Sequence, residues 1–443
     1  MRFENMKKHL FIPLLRRLVP TIKRVNNILH EDEILRDKKI SLNLLEKGLK
    51  EFNLNRANNN FNLDIIKKIT QSFKHAKKAQ NNIQPEYEVA GMWKSIIEKN
   101  FGNYFAAISS NDYKTLYDLL SNFLRNSASD GLVGRKYEKI KSFNVTNKKK
   151  YTSEIIDRNE KLKNLFGNGL DSSFPNIGNP FGLNINNKIY TWFSPRHYYY
   201  AYLVKELIKD IKNPVIAEIG GGFGGFAYYL LKDNKDIKYI NYDIPETLII
   251  CSYYLMESLP EHKFSLYDEK NIKELNISKS EQITLLPNFE LENIEKDSID
   301  LFINTGSLSE MDYKTVAKYI EKIQYGTKKY FLTENSIKSN FNRDHKEVSL
   351  NEFPINTNNF KMKTAPRVAT LLVGANATLT PAQMGLVTEG FMGAALHYEK
   401  LDGYKACAVD DNVATAAFVE EAMTDLETKS IAGIGKAVAQ LQA

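Results

Sequence analysis

Cysteine and long apolar runs are scarce in this 443-residue sequence. Its two cysteines, Cys251 and Cys407, lie in segments of unlike composition, so no disulfide framework is indicated and a reducing cytoplasm is the expected compartment. No run approaches the ~18 consecutive apolar residues of a membrane span. The apolar stretch 10–15 ends at Arg16 and is too short for a signal-peptide core, although weak association of a basic helix with a membrane surface stays open.

The motifs of several enzyme classes are also missing. There is no G-x-S-x-G elbow, no C-x-x-C pair and no H-E-x-x-H helix, and no spacing predicts a metal site. The net charge is +7, but the lysines are scattered and are not interleaved with stacking aromatic residues, so nucleic acid is not an expected partner. An acidic or phosphorylated small acceptor would suit the charge equally well.

The composition changes sharply near Lys363. The first 363 residues contain 11 alanines, whereas the last 80 contain 17 alanines and only two asparagines. Such a change indicates either a separate domain or a join between sequences of different origin. We therefore predict a mostly helical N-terminal region (1–135), a loop-rich linker or substrate cap (136–194), a cofactor-binding α/β domain (195–363) and an Ala-rich α/β segment of unknown role (364–443).

Helical periodicity is clearest after Tyr113, where Leu116, Leu120 and their neighbours up to position 124 share one face. Asn111 or Asp112 is a possible N-cap of this helix. From position 195 onward, helix and strand patterns alternate, which predicts βαβ units, a parallel sheet and a Rossmann-like α/β fold. The predicted strands are 215–219, 237–242, 282–286, 299–303 and 329–332, and the predicted helices are 196–212, 223–232, 246–257 and 313–325.

The most specific local feature is the segment Val215-Ile-Ala-Glu-Ile-Gly-Gly-Gly-Phe-Gly-Gly-Phe226. Glycines at a strand-to-helix turn let the backbone approach a ligand where any Cβ would clash. The following helix N-terminus offers unpaired N–H groups. Ligands of doubly wound sheets bind at the carboxyl ends of the strands, so this turn is a candidate cofactor site.

Two cofactors could use this glycine loop. Gly220, Gly222 and Gly225 fit the G-x-G-x-x-G pattern of dinucleotide enzymes. Gly220, Gly222 and Gly224 equally fit the acidic-x-G-x-G-x-G pattern of S-adenosylmethionine enzymes, with Glu218 at the acidic position. The glycine spacing alone does not choose between them, and a purely structural turn is a third interpretation.

Acidic residues around the loop favour S-adenosylmethionine. Glu218 would repel a pyrophosphate, whereas it suits a ligand with a cationic ammonium and sulfonium. Asp243, which ends the second predicted strand, can accept both ribose hydroxyls of either cofactor. We therefore expect an adenosine site and predict S-adenosyl-L-methionine as the cofactor.

Several further motifs occur in order between residues 100 and 335. They are Leu119-Leu-Ser-Asn-Phe-Leu-Arg-Asn126, Gly178-Asn-Pro-Phe-Gly182, Ser194-Pro-Arg-His-Tyr198, Tyr242-Asp-Ile-Pro-Glu-Thr-Leu248, Ile283-Thr-Leu-Leu-Pro-Asn288 and Asp300-Leu-Phe-Ile-Asn-Thr-Gly-Ser-Leu-Ser-Glu-Met311. With the glycine loop, this combination resembles the bacterial sugar O-methyltransferases, a family of the class I S-adenosylmethionine-dependent methyltransferase superfamily. The resemblance implies methyl transfer to a hydroxyl of a sugar, nucleotide sugar or glycan precursor.

The same resemblance implies contacts for individual residues. The methionine end of the cofactor would meet Glu218, Gly220 and Gly222, the ribose Asp243, the adenine Ile244 and the turn at Asn288, and the reactive methyl group Asn304 and its neighbours.

A sugar hydroxyl is a weak nucleophile, so a catalytic base is expected near the ends of strands four and five. Glu310 and Glu334 follow those strands, and His345 has a suitable intrinsic pKa. Glu310 is alternatively a carboxylate at a helix N-terminus, and the acidic side chains here could instead hold a divalent ion. Arg196 is a possible clamp for the cofactor carboxylate, and His197 a possible lid residue.

The carboxyl end departs from the resemblance. The superfamily's sheet usually finishes with a two-stranded hairpin, which is not recognisable in this sequence after Phe360. The Ala-rich segment is expected in its place, as strand 367–373, helix 381–398, strand 404–409 and helix 412–428. Two other functions therefore stay open: a dinucleotide-dependent oxidoreductase acting on a sugar, and a non-catalytic cofactor-binding module.

Overall fold

The computed structural model describes residues 39–50, 61–166, 170–268, 281–335, 348–363 and 394–400. No helix within these ranges is both long and apolar enough to cross a membrane.

The N-terminal half of the described chain is helical. In the second helix, the buried Ile66, Ile69 and Phe73 recur at helical spacing and face the interior. The predicted cap is confirmed, because the Asp112 side chain accepts a hydrogen bond from the Thr115 backbone N–H at 3.0 Å. The helices are α1 (Lys39–Leu49), α2 (Leu63–Ala79), α3 (Gly91–Asn100), α4 (Gly102–Ser110), α5 (Tyr113–Leu120), α6 (Tyr137–Lys141) and α7 (Val145–Phe166).

Helix α7 corrects the expectation of a loop-rich segment after position 136. Its 22 residues include the lysine cluster 148–150, which the sequence placed in a loop. Tyr151, Ile155 and Leu162 are fully buried and recur at intervals of four and seven residues, so they form one apolar face. Lysine and asparagine around these three residues dilute the apolar pattern, which explains why the helix was missed.

A short hairpin follows α7, formed by β1 (Leu183–Ile185) and β2 (Lys188–Tyr190). The residues between the strands, Asn186 and Asn187, have φ angles of 51° and 64°. Two consecutive positive φ angles match the twist of a tight two-residue β-turn, and asparagine tolerates them better than most residues. The sequence pattern predicted a loop here, so this hairpin was not expected.

The predicted alternation of strands and helices from position 195 is confirmed. The helices of this region are α8 (Ser194–Ile208), α9 (Gly225–Leu231), α10 (Pro245–Ser258) and α11 (Tyr313–Gly326). The strands are β3 (Val215–Ile219), β4 (Lys238–Asp243), β5 (Phe264–Leu266), β6 (Ile283–Pro287), β7 (Ile299–Thr305), β8 (Thr327–Asn335), β9 (Phe360–Lys363) and β10 (Ala394–Lys400).

These eight strands form one sheet in the order β5-β6-β4-β3-β7-β8-β10-β9. All pairs from β5 to β8 are parallel. The chain runs from β3 to β4 and then to the edge strand β5, returns to β6 between them, and continues through β7 to β8 on the other side. The strand order therefore reverses beside β3, where a doubly wound sheet opens a crevice at its carboxyl edge. This is the predicted Rossmann-like fold.

The closing hairpin that the sequence analysis could not recognise is present. Strand β10 pairs antiparallel with β8 on one side and with β9 on the other. Since β10 covers positions 394–400, the expected helix 381–398 is wrong at its carboxyl end. The other elements expected after position 363 lie outside the described residues. The Ala-rich segment thus supplies a strand to the sheet.

Helix α10 lies between the sheet and the N-terminal helices. Twelve consecutive residues from Pro245 to Met256 are buried, and the helix packs against both α2 and β6. A helix buried on all sides needs an apolar surface all round. The helical region therefore covers the sheet directly and shares one hydrophobic core with it.

Candidate cofactor and acceptor site

The glycine loop between β3 and α9 depends on backbone conformations that favour glycine. Gly220, Gly222 and Gly224 have φ angles of 70°, 58° and 91°. A Cβ added to Gly220 would lie 2.2 Å from Oγ of Ser307, which follows β7. The loop is therefore held close to the end of the neighbouring strand, and its shape does not tolerate larger residues at these points.

Glu218 lies beneath this loop. It is 2% exposed, and its Oε2 accepts a hydrogen bond from the Tyr239 hydroxyl. A Cβ added to Gly221 would lie 2.9 Å from the same oxygen. Burial raises the pKa of Glu218 to about 8, with Tyr239 opposing the shift and Asp243 adding to it. The carboxyl group therefore supports the loop from below and is held mostly protonated near neutral pH.

Asp243 is the last residue of β4 and lies beside the glycine loop. Its side chain connects the loop to the end of β4. Its Oδ2 accepts from the Gly222 N–H at 2.8 Å and its Oδ1 from the Ile244 N–H at 2.7 Å. Burial raises its pKa to about 6, and these hydrogen bonds oppose the shift. Each carboxylate oxygen keeps acceptor capacity beyond one bond, so a pair of hydroxyls fits the remaining sites.

Asn304, at the carboxyl end of β7, is fully buried within a polar network. Its Nδ2 donates to the Ile219 carbonyl at 2.9 Å and to Oγ of Ser307 at 2.5 Å, and its Oδ1 accepts from Asn335 at 2.7 Å. The network ties the ends of β3, β7 and β8 together. The Asn304 side chain thus positions the strand ends, and the segment after it faces the crevice.

Asn288 and Ile244 flank the opposite side of the crevice. The Asn288 Nδ2 donates to the Tyr87 carbonyl at 3.0 Å and to the Tyr319 hydroxyl at 2.9 Å. Its Oδ1 is buried and has no hydrogen-bond partner within the described ranges. Ile244 is half-buried just past β4. An unpaired amide oxygen beside an apolar side chain suits the edge of a base that carries an N–H donor.

Arg196 and Glu334 form an ion pair at the end of β8. Burial raises the pKa of Glu334, and the Arg196 charge opposes the shift. The Arg196 guanidinium also lies 3.7 Å from the position that a Cβ on Gly306 would occupy. The structure thus brings the predicted clamp and one predicted base together, beside the loop that follows β7.

Glu310 meets the helical region. It lies in a 3-10 turn after β7, and its Oε2 accepts from the indole N–H of Trp93 in α3 at 2.8 Å. Above the glycine loop, Leu132 lies 3.4 Å from the position of a Cβ on Gly222. Helices and loops before the sheet therefore cover the carboxyl edge where the cofactor site was predicted.

Of the two predicted histidines, His345 and His197, the structure describes only His197. His345 lies outside the described residues. His197 packs against Phe223 and lies over Gly225, where an added Cβ would be 2.4 Å from its ring. Burial, reinforced by the charge of Arg196, lowers the pKa of His197 to about 3, so the ring is neutral. The neutral imidazole of His197 therefore packs against the glycine loop as a contact residue.

Tyr239, Ser307, Trp93 and Leu132 were not predicted as site residues. Alternation along β4 could have identified Tyr239, because it shares a strand face with Asn241 and Asp243. Nothing local in the sequence identifies Ser307, Trp93 or Leu132, since each reaches the site through the tertiary fold. Among the described residues, no group of three or more His, Cys, Asp or Glu side chains is placed to hold a metal ion.

Together, the doubly wound sheet, its glycine loop and the acid at the end of β4 define a Rossmann-like architecture. A narrow backbone turn lies at the switch point, where doubly wound sheets bind their ligands, and the Asp243 carboxylate is hydrogen bonded to this turn at 2.8 Å. A helical cap closes the opposite side of the crevice.

Solved structures similar to the chain include S-adenosylmethionine-dependent methyltransferases. Magnesium protoporphyrin IX methyltransferase of Synechocystis with bound S-adenosylhomocysteine is 11% identical, covering 56% of this chain and 99% of its own, with a TM-score of 0.31. An S-adenosylmethionine-dependent methyltransferase of Aquifex aeolicus is 13% identical, covering 45% and 87%, with a TM-score of 0.24.

A protein of Methanococcus maripaludis provisionally classed as an S-adenosylmethionine-dependent methyltransferase is 19% identical, with a TM-score of 0.23. The alignment covers 32% of this chain and 57% of the methanococcal protein, so the match spans little more than half of that relative. No protein-family model and no curated protein sequence matches the chain.

Proposed function

We propose that the protein is an S-adenosylmethionine-dependent O-methyltransferase that acts on a hydroxyl of a sugar or glycan precursor in the cytoplasm. The observation that carries the proposal is the glycine loop at the switch point, with Asp243 hydrogen bonded to the Gly222 N–H at 2.8 Å. This arrangement leaves a backbone cradle that any Cβ would fill, beside a carboxylate able to accept ribose hydroxyls.

The residues around the cradle suit S-adenosylmethionine better than a dinucleotide. Gly220, Gly222 and Gly224 receive the methionine end, with the Glu218 carboxyl beneath them. A cationic ligand stabilises the ionised form of this buried acid, whereas a pyrophosphate would be repelled by it. Asp243 accepts the ribose hydroxyls. The adenine lies along Ile244, and its N–H edge reaches the unpaired Asn288 Oδ1.

When bound, S-adenosylmethionine supplies the electrophilic methyl group, so the protein must align the acceptor oxygen and remove its proton. Glu310 follows β7, and Glu334 lies at the end of β8. Glu334 is our preferred base for two reasons. Its backbone carbonyl accepts from the Gly306 N–H at 2.7 Å, which places it beside the loop after β7, and burial raises its pKa, which makes it a better proton acceptor than an ordinary carboxylate. Arg196 holds it in position. Glu310, bonded to Trp93, stays the second candidate, and His345 the third.

Residues 100–195 determine which acceptor binds. This region places Leu132 over the glycine loop and contributes the helix α7 and the segment before α8. Helical additions of this kind can close a crevice against water, which favours methyl transfer to a hydroxyl over hydrolysis.

The experiment incubates the full chain with methyl-labelled S-adenosylmethionine and a panel of nucleotide sugars and glycans, and measures label incorporation by mass spectrometry. Parallel titrations use S-adenosylhomocysteine and NADH. Transfer of label to one acceptor, with S-adenosylhomocysteine binding and no NADH binding, supports the proposal. NADH binding alone would support the oxidoreductase, and cofactor binding without any transfer would support a binding module.

Two matched variants test the base. Glu334→Gln and Glu310→Gln each keep the side-chain shape and remove the acid. Replacing the true base should lower the kcat of the enzyme about 10²–10⁴-fold. Its affinity for S-adenosylhomocysteine should change less than threefold (roughly 0.6 kcal/mol). Equal, small effects in both variants would exclude both carboxylates as the base.

A further inference from the structure

Two arginines pack against Trp192, a half-buried residue just before α8. The guanidinium carbon of Arg158 lies 4.0 Å from the centroid of the Trp192 ring, and that of Arg135 lies 5.1 Å from it. A third arginine, Arg196, lies over the Tyr200 ring at 5.6 Å. Burial lowers the pKa of Arg158, and the charges of Arg135 and Arg196 add to this shift.

Two of the three arginines have carboxylate partners. Arg135 pairs with Glu154 at 2.8 Å, and the same carboxylate oxygen accepts from the Trp192 indole at 3.1 Å. Arg196 pairs with Glu334. The nearby Asp157 pairs with a lysine, Lys161, one turn further along α7 at 2.9 Å.

Arg158 is the exception. No carboxylate in the described part of the chain pairs with it, and its contact is with the face of the indole ring. Burial lowers its pKa, with Glu154 opposing the shift. A half-buried guanidinium without a carboxylate in direct contact is unfavourable in the free protein, because the charges of Glu154 and Asp157 offset only part of its desolvation. An anionic ligand would supply the missing partner.

The chemistry of the group fits an oxyanion. A guanidinium whose face rests on an aromatic ring keeps its N–H donors free at its edge, in the fork geometry that matches carboxylate and phosphate oxygens. A lysine in the same position would offer one point charge instead. The site therefore suits a planar or tetrahedral oxyanion better than a neutral hydroxyl.

The three arginines, Arg135, Arg158 and Arg196, lie next to the proposed site of methyl transfer. The Arg196 guanidinium reaches the loop at Gly306, after β7. A Cβ added to Gly134 would lie 2.7 Å from the Trp192 ring, and two residues earlier Leu132 covers Gly222 of the glycine loop. The short segment 131–135 therefore runs from the cofactor loop to Trp192, so an acceptor could span both places.

We propose that Arg158, stacked on Trp192 and supported by Arg135, binds a phosphate or carboxylate group of the methyl acceptor. The proposal rests on the proposed function, because that function makes this site an acceptor pocket. It narrows the expected acceptors to negatively charged sugars. These are either nucleotide sugars, which carry a pyrophosphate, or uronic acids, which carry a carboxylate.

The test measures binding of two anionic probes to the full chain by isothermal titration calorimetry. Inorganic pyrophosphate represents the phosphate source and glucuronate the carboxylate source. The variants are Arg158→Gln, which removes the charge, Arg158→Lys, which keeps the charge but loses the planar fork, and Lys149→Gln. Lys149 is exposed on the same helix, so the last variant is a control with the same change in net charge.

At least one probe should bind the wild type and lose tenfold or more in affinity in Arg158→Gln, with a smaller loss in Arg158→Lys and less than a twofold change in Lys149→Gln. The probe that responds identifies the anion. Equal binding to Arg158→Gln and Lys149→Gln, or no binding of either probe to the wild type, would overturn the proposal. Thermal unfolding confirms that each variant is folded, since loss of an unpaired charge should not destabilise it.

S-adenosylhomocysteine titrated into the same samples separates the two proposals. Its affinity should be unchanged in Arg158→Gln, because Arg158 does not contact the glycine loop. Anion binding without any binding of S-adenosylhomocysteine would refute the methyltransferase and leave the anion site standing. The reverse result would refute the anion site alone.

Discussion

Glu218 should release a proton when a cationic cofactor binds above it. Without ligand its pKa is about 8, so the side chain is about nine-tenths protonated at pH 7. A positive charge within about 4–6 Å favours the ionised form. If the bound form is fully ionised, binding at pH 7 releases about 0.9 proton, and the apparent affinity rises about tenfold between pH 7 and pH 9.

The measurement is calorimetric titration of S-adenosylmethionine, which carries both the ammonium and the sulfonium, at pH 7 in buffers with different heats of ionisation, which gives the number of protons released. The control is Glu218→Gln, which keeps the shape and an acceptor for Tyr239 but cannot ionise. The ligand's own ammonium titrates equally in both proteins, so the difference between them isolates Glu218. A difference below about 0.2 proton would refute a cation-binding role for this residue.

The same pKa shift predicts how stability depends on pH in the absence of ligand. The folded pKa of Glu218, about 8, lies above its ordinary value, so the folded protein binds more protons than the unfolded chain between those two values. This contribution to stability is complete below the ordinary pKa and is lost as the pH rises through 8. Glu218→Gln should therefore lose less stability than the wild type between pH 5 and pH 9 in chemical denaturation.

Three further predictions follow from the loop and the sheet. Gly220→Ala should destabilise the fold by about 1–3 kcal/mol in urea unfolding, because its φ is 70°, whereas Gly102→Ala, with open space around it, should be near neutral. Asp243→Asn should weaken S-adenosylhomocysteine binding about 10–100-fold in calorimetry while the protein stays folded, since a charged acceptor is lost; unchanged affinity would place the ribose elsewhere. Truncation after Lys363 removes β10, which leaves β9 without a partner and an open edge on the sheet, so light scattering should detect aggregation that the full chain does not show.

Five strands of the sheet, β3, β4, β6, β7 and β8, could be predicted because each carries its own signal, whereas the three-residue edge strand β5 was not predicted. The residues 215–219 form an apolar run that ends at glycines, and the same punctuation marks the helix that follows. The closing hairpin carries a weaker signal. Strand β9 has four residues and β10 has seven, and thirty residues separate them, so no tight turn marks the hairpin and only the pairing identifies it.

The candidate site was predictable in its backbone and less so in its side chains. The glycines indicate the turn in the sequence, because a backbone with positive φ angles favours glycine. The partners of a buried polar residue are decided by tertiary contacts. Asn304 was predicted to lie near the methyl group, but its hydrogen bonds to three neighbouring groups could not be predicted. Arg158 was not singled out at all, since its helix was expected as a loop.

The segment 131–135 lies between the glycine loop and Trp192. Its Leu132 side chain lies 3.4 Å from the position of a Cβ on Gly222, and a Cβ added to Gly134 would lie 2.7 Å from the Trp192 ring. If a ligand displaces this segment at one end, the free energy of binding at the other end changes, and thermodynamic reciprocity requires the same factor in both directions. Occupancy by the first substrate would then set the affinity for the second, which is the basis of an ordered kinetic scheme.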